Sequence, residues 1–437
     1  MELLAPNIQH YHWGDYSFIP ELQGRPIGDQ PEAELWMGAH PTSPSKTLGT
    51  KQGLDDIISN DPQKALGVSN SRNELSFIMK ILAIREPLSI QVHPTAMMAR
   101  ERYVIQKKRP NSPQLYSSPR SKSEIVCALT ETDIKFGFRE LSEIKLILDA
   151  IGHHEISWIG AEKKEDKNDQ ILQGLITEIL ALASGQVQTI ISSVLSSDMR
   201  STVVTEKELT YFANLTETYP GDPSLLLFLF MNFITLEPGD FIYTPPGVVH
   251  AYLYGNVVEV TSNSDNVIRC GLTPKQVNVQ EFLRVADFSF EKPQIQKPTH
   301  ALHSYESPTP FNLSRLDLNG EWENSLRGPE ILISTQNKFT ITNALGESLQ
   351  VDQGQPVWIP YSDKSYIISG DCHVFRCGTS IPNPVQTTPD DVKKVMEDVQ
   401  TLVERAGRTE DGAIIDYDPF DFLNNGNHEH FPKQEKN

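Results

Sequence analysis

The sequence predicts a mainly β protein, built from β-barrels or sandwiches with an inserted helical domain. Three observations carry that expectation. Short apolar runs broken by Pro and Gly fill the first hundred residues and return after Tyr219. Between about Glu140 and Arg200 the hydrophobic period changes to that of helices, and beyond Asn319 a further series of short strands follows at regular spacing. With 437 residues, 38% hydrophobic and 22% charged, the chain can bury a substantial core and divides into two or three compact units.

In the turn-rich first hundred residues, LSFIMKILAI (Leu75 to Ile84) and LSIQVHP (Leu88 to Pro94) read as strands between Pro and Gly breaks. In ILQGLITEILAL, the residues Ile171, Leu172, Leu175, Ile176, Ile179 and Leu180 fall on one face of a helix. The polar run AEKKEDKNDQ before it reads as a solvated loop or helix end. After Tyr219, LLLFLFMNFITL, DFIYTPP and NVVEVTSNS read as buried strands, and the stretch from Phe288 to Asn319 as a connection dense in Pro, Ser and His. GPEILISTQ, KFTITNAL, QPVWIP and KSYIISGDCHVFRC then form a separate set of strands. Near the C-terminus, TPDDVKKVMEDVQTLVERAG predicts one amphipathic helix with Thr388 as N-cap, Pro389 in the first turn and Gly407 as the stop. His428 and His430 flank Glu429 in a polar tail, where an isolated H-E-H reads as incidental.

The formal net charge of -19 argues against nucleic acid as a partner, since phosphate backbones are held by clustered Lys and Arg. An anionic small substrate would need a local cluster of cations, because salt screens the long-range field within ~10 Å. No run of ~18 uncharged apolar residues appears, so no membrane span is expected. The N-terminal MELLAPNIQHYHWG lacks the pattern of a secretory leader. Cys127, Cys270, Cys372 and Cys377 are too scattered for a disulfide framework, and a reducing cytoplasm is the expected location.

The stretch GDFIYTPPGVVHAYLYGN, Gly239 to Asn256, carries the chemistry. Gly239-Asp240 predicts a turn, Phe241 to Thr244 a strand, Pro245-Pro246-Gly247 a corner, and His250 and Tyr252 one face of the next strand. Alone, a strand histidine is most often a satisfied polar residue. The spacing G-x5-P-x-G-x2-H, however, resembles the second motif of the cupin superfamily, whose jelly-roll β-barrels bind a metal through that histidine. The position of the superfamily's earlier H-x-H is occupied by Gln91-Val92-His93, and residues i and i+2 of a strand face the same way. With Glu124 in SKSEIVCAL, these residues make a neutral oxygen, two imidazoles and a carboxylate, a set suited to zinc.

The chain as a whole resembles type I phosphomannose isomerases over most of residues 1 to 290. The segment HAYLYGNVVEVTSNSDNVIRCGLTPK (His250 to Lys275) is similar to that family's long signature, and ELWMGAHP, LSIQVHP and Trp13-Gly14 match as well. The resemblance implies cupin-like barrels and a zinc-dependent isomerase that interconverts mannose 6-phosphate and fructose 6-phosphate in GDP-mannose biosynthesis. It implies one zinc per chain, held by Gln91, His93, Glu124 and His250. It assigns Arg269 to the reacting carbons, Ser89, Lys122 and Lys275 to the phosphate, and Trp13, Glu34, Lys80, Tyr252, Glu259 and Asp265 to the pocket. Zinc and a cation that cannot lose its proton suit a reaction that develops enediolate charge.

The chain departs from the family's Y-x-D-x-N-H-K-P-E signature, reading YSSPRSKSE from Tyr116 to Glu124. Ser118, Arg120, Ser121 and Ser123 stand where Asp, Asn, His and Pro are expected. With Ser121 in place of a histidine considered for proton transfer, Glu259, Asp265 and a metal-bound water remain as alternative bases. Downstream, Thr261-Ser262 replaces Met-Ala, and Cys270 replaces an alanine. Two other readings are a sugar-phosphate-binding protein that lost turnover and another metal-dependent cupin enzyme, such as an oxygenase. The expected division is a catalytic β-domain from residues 1–110 plus 205–290, a metal-ligand loop and helical insertion over 111–204, a C-terminal β-domain over 291–384, and a helix and acidic tail over 385–437. The expected protein is a monomer acting on a small sugar phosphate.

Overall fold

The computed structural model describes residues 1–67, 73–108, 113–152, 168–199, 202–289 and 292–379. The helix expected from Thr388 and the H-E-H of the tail lie outside the described residues. Within them the protein is mainly β, with two curled antiparallel sheets and a helical block inserted into the first.

The first sheet has ten strands. Along its main path run Phe241–Thr244, Glu124–Ala128, His250–Ser262, Phe77–Ile84, Glu34–Gly38 and Asn7–Gln9. The 13-residue strand His250–Ser262 organises it. Its first half pairs with Thr132–Phe138 and Ile90–Val92, and its second half with Phe77–Ile84 and Glu124–Ala128. The change of partners occurs at Gly255, whose φ is +115° and where a Cβ would stand 2.4 Å from Thr132 Oγ1 and 2.6 Å from Glu131 O. Only glycine fits there, and the strand curls the sheet around it.

The helical block comprises Leu141–Ile151, Asn168–Leu180, Ser184–Ser196, Glu206–Thr218 and Ser224–Phe230. The six apolar residues read from ILQGLITEILAL are all buried, and all but Ile171 belong to its core. Its ends follow capping chemistry. Thr205 Oγ1 accepts the Glu208 amide (3.2 Å), and Gly152 closes the first helix in the left-handed region. No single described helix is long and apolar enough to cross a membrane. The pair Asn168–Leu180 and Ser184–Ser196 has the apolar length together, but bends by 111° and buries its apolar faces in this core.

The second sheet has nine strands, ordered Leu302–Ser304, Phe311–Ser325, Ser365–Thr379, Glu330–Gln336, Pro356–Ile359, Glu2–Ala5 and Lys46–Thr47, with Phe339–Asn343 and Ser348–Val351 added on Ser365–Thr379. The N-terminal strand pairs Glu2 with Trp358 and Leu3 with Val357. After Pro6 breaks it, residues Asn7–Gln9 join the first sheet. Leu35, Met37 and Phe77 pack on Phe311, Leu313, Ile331 and Trp358 between the sheets. Each such buried side chain contributes ~1.5–3 kcal/mol.

Four sequence expectations are corrected. LLLFLFMNFITL is a helix over Ser224–Phe230 followed by a strand over Met231–Leu236. Every residue of that helix is buried, so no polar face marks its period, while Asp222 Oδ1 starts it by accepting from the Ser224 amide (2.9 Å) and hydroxyl (2.7 Å). Helix Glu206–Thr218 carries the helical stretch beyond Arg200, where it was expected to end. The connection from Phe288 to Asn319 contains the strand Leu302–Ser304 and the start of Phe311–Ser325. The first hundred residues also hold helices Phe18–Leu22, Leu54–Asn60, Pro62–Leu66 and the start of Ala96–Lys108.

Candidate metal centre and substrate pocket

Strand pairing sets the site. Gln91 stands opposite His250 on one side and opposite Arg269 on the other, so these three residues form a cross-strand row on one face. Glu124 opens the strand that pairs with the far end of His250–Ser262, opposite Thr261. The Pro-Pro-Gly corner is fastened to the same place, since the Gly247 amide donates to the His93 carbonyl (2.8 Å).

His93, Glu124 and His250 converge, with donor atoms all within 4.8 Å of one another. His93 Nε2 is 3.0 Å from Glu124 Oε1, and His250 Nε2 is 3.4 Å from Oε2. Both tautomers follow from their partners. His93 Nδ1 meets the Asn266 carbonyl (2.8 Å) and His250 Nδ1 the Val248 carbonyl (2.9 Å). A carbonyl only accepts, so each Nδ1 carries the proton and each Nε2 presents a bare lone pair. Burial, then the neighbouring Lys122 cation, pushes His93 down to about 4, which keeps the ring neutral. Burial alone would raise Glu124, but the Lys122 ammonium holds it well below the usual carboxylate range.

This donor set fits a metal ion. Two imidazole lone pairs and a carboxylate crowd together, and buried His250 Nε2 has no hydrogen-bond partner. Unpartnered acceptors of this kind repel each other unless a cation lies between them. Lys122 supplies part of that charge, as its ammonium touches Glu124 Oε1 and lies 3.4 Å from His93 Nε2. Tyr252 donates to Glu124 Oε2 (3.2 Å), on the same face of the strand as His250.

A cavity of about 380 Å³ opens over Gln91, Glu124 and Lys122. One wall is the cross-strand row Trp36, Lys80 and Glu259. Lys80 Nζ is 2.9 Å from Glu259 and 3.8 Å from Glu34, and lies 5.0 Å over the Trp36 ring. Burial would lower the lysine, but the two carboxylates raise it. Burial raises Glu259 even beside Lys80. Across the cavity stand Arg269, half-buried, and Lys275, whose ammonium lies 4.8 Å over the Tyr11 ring. Burial and then Arg269 lower Lys275. Asp265 is held by His40 Nε2 (2.9 Å), which lowers its carboxyl against the effect of burial. Trp13, Ser89 and Tyr252 complete the lining.

Comparison with known proteins agrees with this geometry. The family described as phosphomannose isomerase type I, catalytic domain, matches residues 1–141. The mannose-6-phosphate isomerase of Escherichia coli (strain K12) is 30% identical over 396 residues, covering 86% of this chain and 99% of its own. The chain belongs to the type I phosphomannose isomerase family. A solved variant of the Salmonella typhimurium member has a TM-score of 0.79 at 27% identity, covering 87% of this chain and 100% of that one. A mannose 6-phosphate isomerase structure bound with zinc and yttrium has a TM-score of 0.78 at 28% identity, with the same coverage.

In this phosphomannose isomerase family member, the divergent segment YSSPRSKSE is laced to the segment Ser262–Asn266. The Ser262 hydroxyl donates to the Ser121 carbonyl (3.0 Å) and accepts the Ser123 amide (3.1 Å). The Ser264 hydroxyl donates to the Arg120 carbonyl (3.2 Å), and Arg120 pairs with Glu74 (2.5 Å). Lys122, expected at the phosphate, is engaged at Glu124. Sequence reasoning assigned no role to Tyr11, His40 or Asn266. His40 was visible inside ELWMGAHP, whereas Tyr11 reaches the cavity only through the sheet packing.

Proposed function

We propose that the protein interconverts mannose 6-phosphate and fructose 6-phosphate by moving a proton between C1 and C2 of the open-chain sugar. One zinc ion would be held by Gln91, His93, Glu124 and His250. The observation that carries this reading is the convergence of bare imidazole lone pairs on Glu124 beside a cavity that also holds Arg269 and Lys275.

Zinc, when bound there, would polarise the sugar oxygens as a Lewis acid. Arg269 supplies a fixed cation for charge that develops on the enediolate. Glu259, its carboxyl raised by burial, is the proton carrier, and Lys80 keeps it ionised to start the reaction. Asp265 is held in place by His40 and borders the same space. Lys275 and Ser89 receive the phosphate, while Lys122 would have to release Glu124 to join them. Glu34, Trp13 and Tyr252 shape the sugar pocket. The protein acts as a monomer in a reducing cytoplasm, in keeping with four free, buried cysteines.

The test is to incubate metal-analysed protein with mannose 6-phosphate and follow fructose 6-phosphate before and after chelation. Turnover that disappears with the metal and returns with zinc supports the assignment. Stoichiometric zinc without turnover would replace it with a sugar-phosphate-binding role.

A further inference from the structure

We infer that Asn266 is a positioning residue that fixes two of the proposed metal ligands, His93 and Glu124, to each other. The inference rests on the metal site proposed above. His93 follows the strand Ile90–Val92 and Glu124 opens the strand Glu124–Ala128, and these two strands are not hydrogen-bonded neighbours. The ladder joins them only indirectly, at opposite ends of His250–Ser262, so any direct link between the two ligands lies outside it.

Asn266 is fully buried and touches His93 and the segment that precedes Glu124. Its main-chain carbonyl accepts Nδ1–H of His93 (2.8 Å), which sets the ring's tautomer and aims Nε2 at Glu124. Its side chain grips the segment that leads into Glu124. Asn266 Oδ1 accepts from the Ser117 amide (2.8 Å), the Ser117 hydroxyl (3.1 Å) and the Ser118 amide (3.2 Å). Nδ2 donates to the Ser118 carbonyl (2.7 Å) and the Arg120 carbonyl (2.6 Å). Both amide protons are used, so the carboxamide acts as a piece of strand for a loop that has none. Lys122 and Glu124 follow directly, with Lys122 bound to Glu124.

The chemistry requires an amide here. Aspartate is isosteric, but it would set an oxygen against two carbonyl oxygens and lose both donors. Alanine would leave the Ser117 and Ser118 amides and the Ser118 carbonyl without partners, and the Arg120 carbonyl with the Ser264 hydroxyl alone. In either variant the His93 contact survives, because it is made by the main chain. The change therefore reaches the metal site through Lys122 and Glu124.

The experiment is a zinc titration of metal-free wild type, Asn266→Ala and Asn266→Asp against a chromophoric chelator, with circular dichroism and melting of the metal-free proteins alongside. Loss of a contact that orients a ligand typically costs about 10–100-fold in metal affinity. That loss is expected here in both variants, beyond any change in metal-free melting temperature. A variant that melts lower yet binds zinc as tightly as wild type would make Asn266 merely structural and overturn the inference. A second measurement needs no variant. If Asn266 couples the two ligands, zinc must slow amide hydrogen exchange at Ser117 and Ser118, which touch Asn266 and no ligand. Unchanged exchange there would also overturn it. Wild type that takes up no zinc would instead sink the metal reading itself, and this inference with it.

Discussion

Lys80 and Glu259 face each other across neighbouring antiparallel strands with Nζ and Oε2 2.9 Å apart, both residues buried. Neither charge is tolerable there alone, and together they place a carboxylate against the sugar pocket without a full anionic penalty.

Lys80→Met is accordingly expected to destabilise the protein by about 3–5 kcal/mol, because Glu259 is left as an unpaired buried charge. Glu259 is already raised by burial, and losing the lysine raises it further. Protonation relieves the penalty, so the loss should be larger at pH 8 than at pH 5.5. In the wild type the raised Lys80 contributes stability that is complete below the ordinary lysine value and fades as pH climbs above it. Urea unfolding at both pH values measures the difference, and an equal loss at each would count against this pairing.

Arg269→Ala should lower kcat by roughly 10²–10³-fold with a much smaller rise in KM. In the proposed mechanism the guanidinium gains most when charge develops on the enediolate. Steady-state kinetics on zinc-loaded protein decides the point, and a change confined to KM would make Arg269 a simple substrate contact.

Away from the site, Lys135 and Arg139 share the buried carboxylate of Glu208, whose Oε1 and Oε2 accept from Arg139 Nη2 at 2.9 and 2.7 Å. Glu208→Gln strips two buried cations of their counter-ion and should cost about 3–5 kcal/mol, whereas Lys135→Met leaves Glu208 with Arg139 and should be close to neutral. Burial, then Arg139, lowers Lys135 to about 8, its attraction to Glu208 offsetting part of the fall. The unfolded chain holds that proton up to ~10.5, so raising pH from 8 towards 10.5 favours the folded state. Lys135→Met should lose that rise in a pH series of unfolding curves.

Ser262→Ala removes the acceptor of the Ser123 amide and should destabilise by about 1–3 kcal/mol. Proline, the residue of the family signature at position 123, has no amide proton to leave unpaired. Ser262→Ala combined with Ser123→Pro should then recover stability lost in the single variant. Thermal melts of both singles and the double test the coupling, and strict additivity would refute it.

The site was legible where local geometry decides it. Alternation on a strand put His250 with Tyr252, which both reach Glu124, and the glycine-proline corner marked where the strand restarts. What stayed hidden depends on distant partners. Asn266 reads as one polar residue in a turn until the fold brings Ser117 and Arg120 to it, and Lys122 reads as a phosphate cation until Glu124 claims it. The fold was legible in the same way. ILQGLITEILAL showed a helix because one face stays wet, whereas the Ser224–Phe230 helix is buried on all sides and its pattern is uniform.

The pairing of Glu2 and Leu3 with Trp358 and Val357 has a consequence for how the chain is made. The strand Glu2–Ala5 can pair early with Lys46–Thr47, but its other edge stays open until the strand Pro356–Ile359 has been translated. At about 5–20 residues per second, that interval is roughly 20–70 s. During it, Glu2 and Leu3 lack their partners, beside the residues Asn7–Gln9 that belong to the first sheet. The opening residues are thus the natural point for a chaperone to hold, and for aggregation to begin when none does.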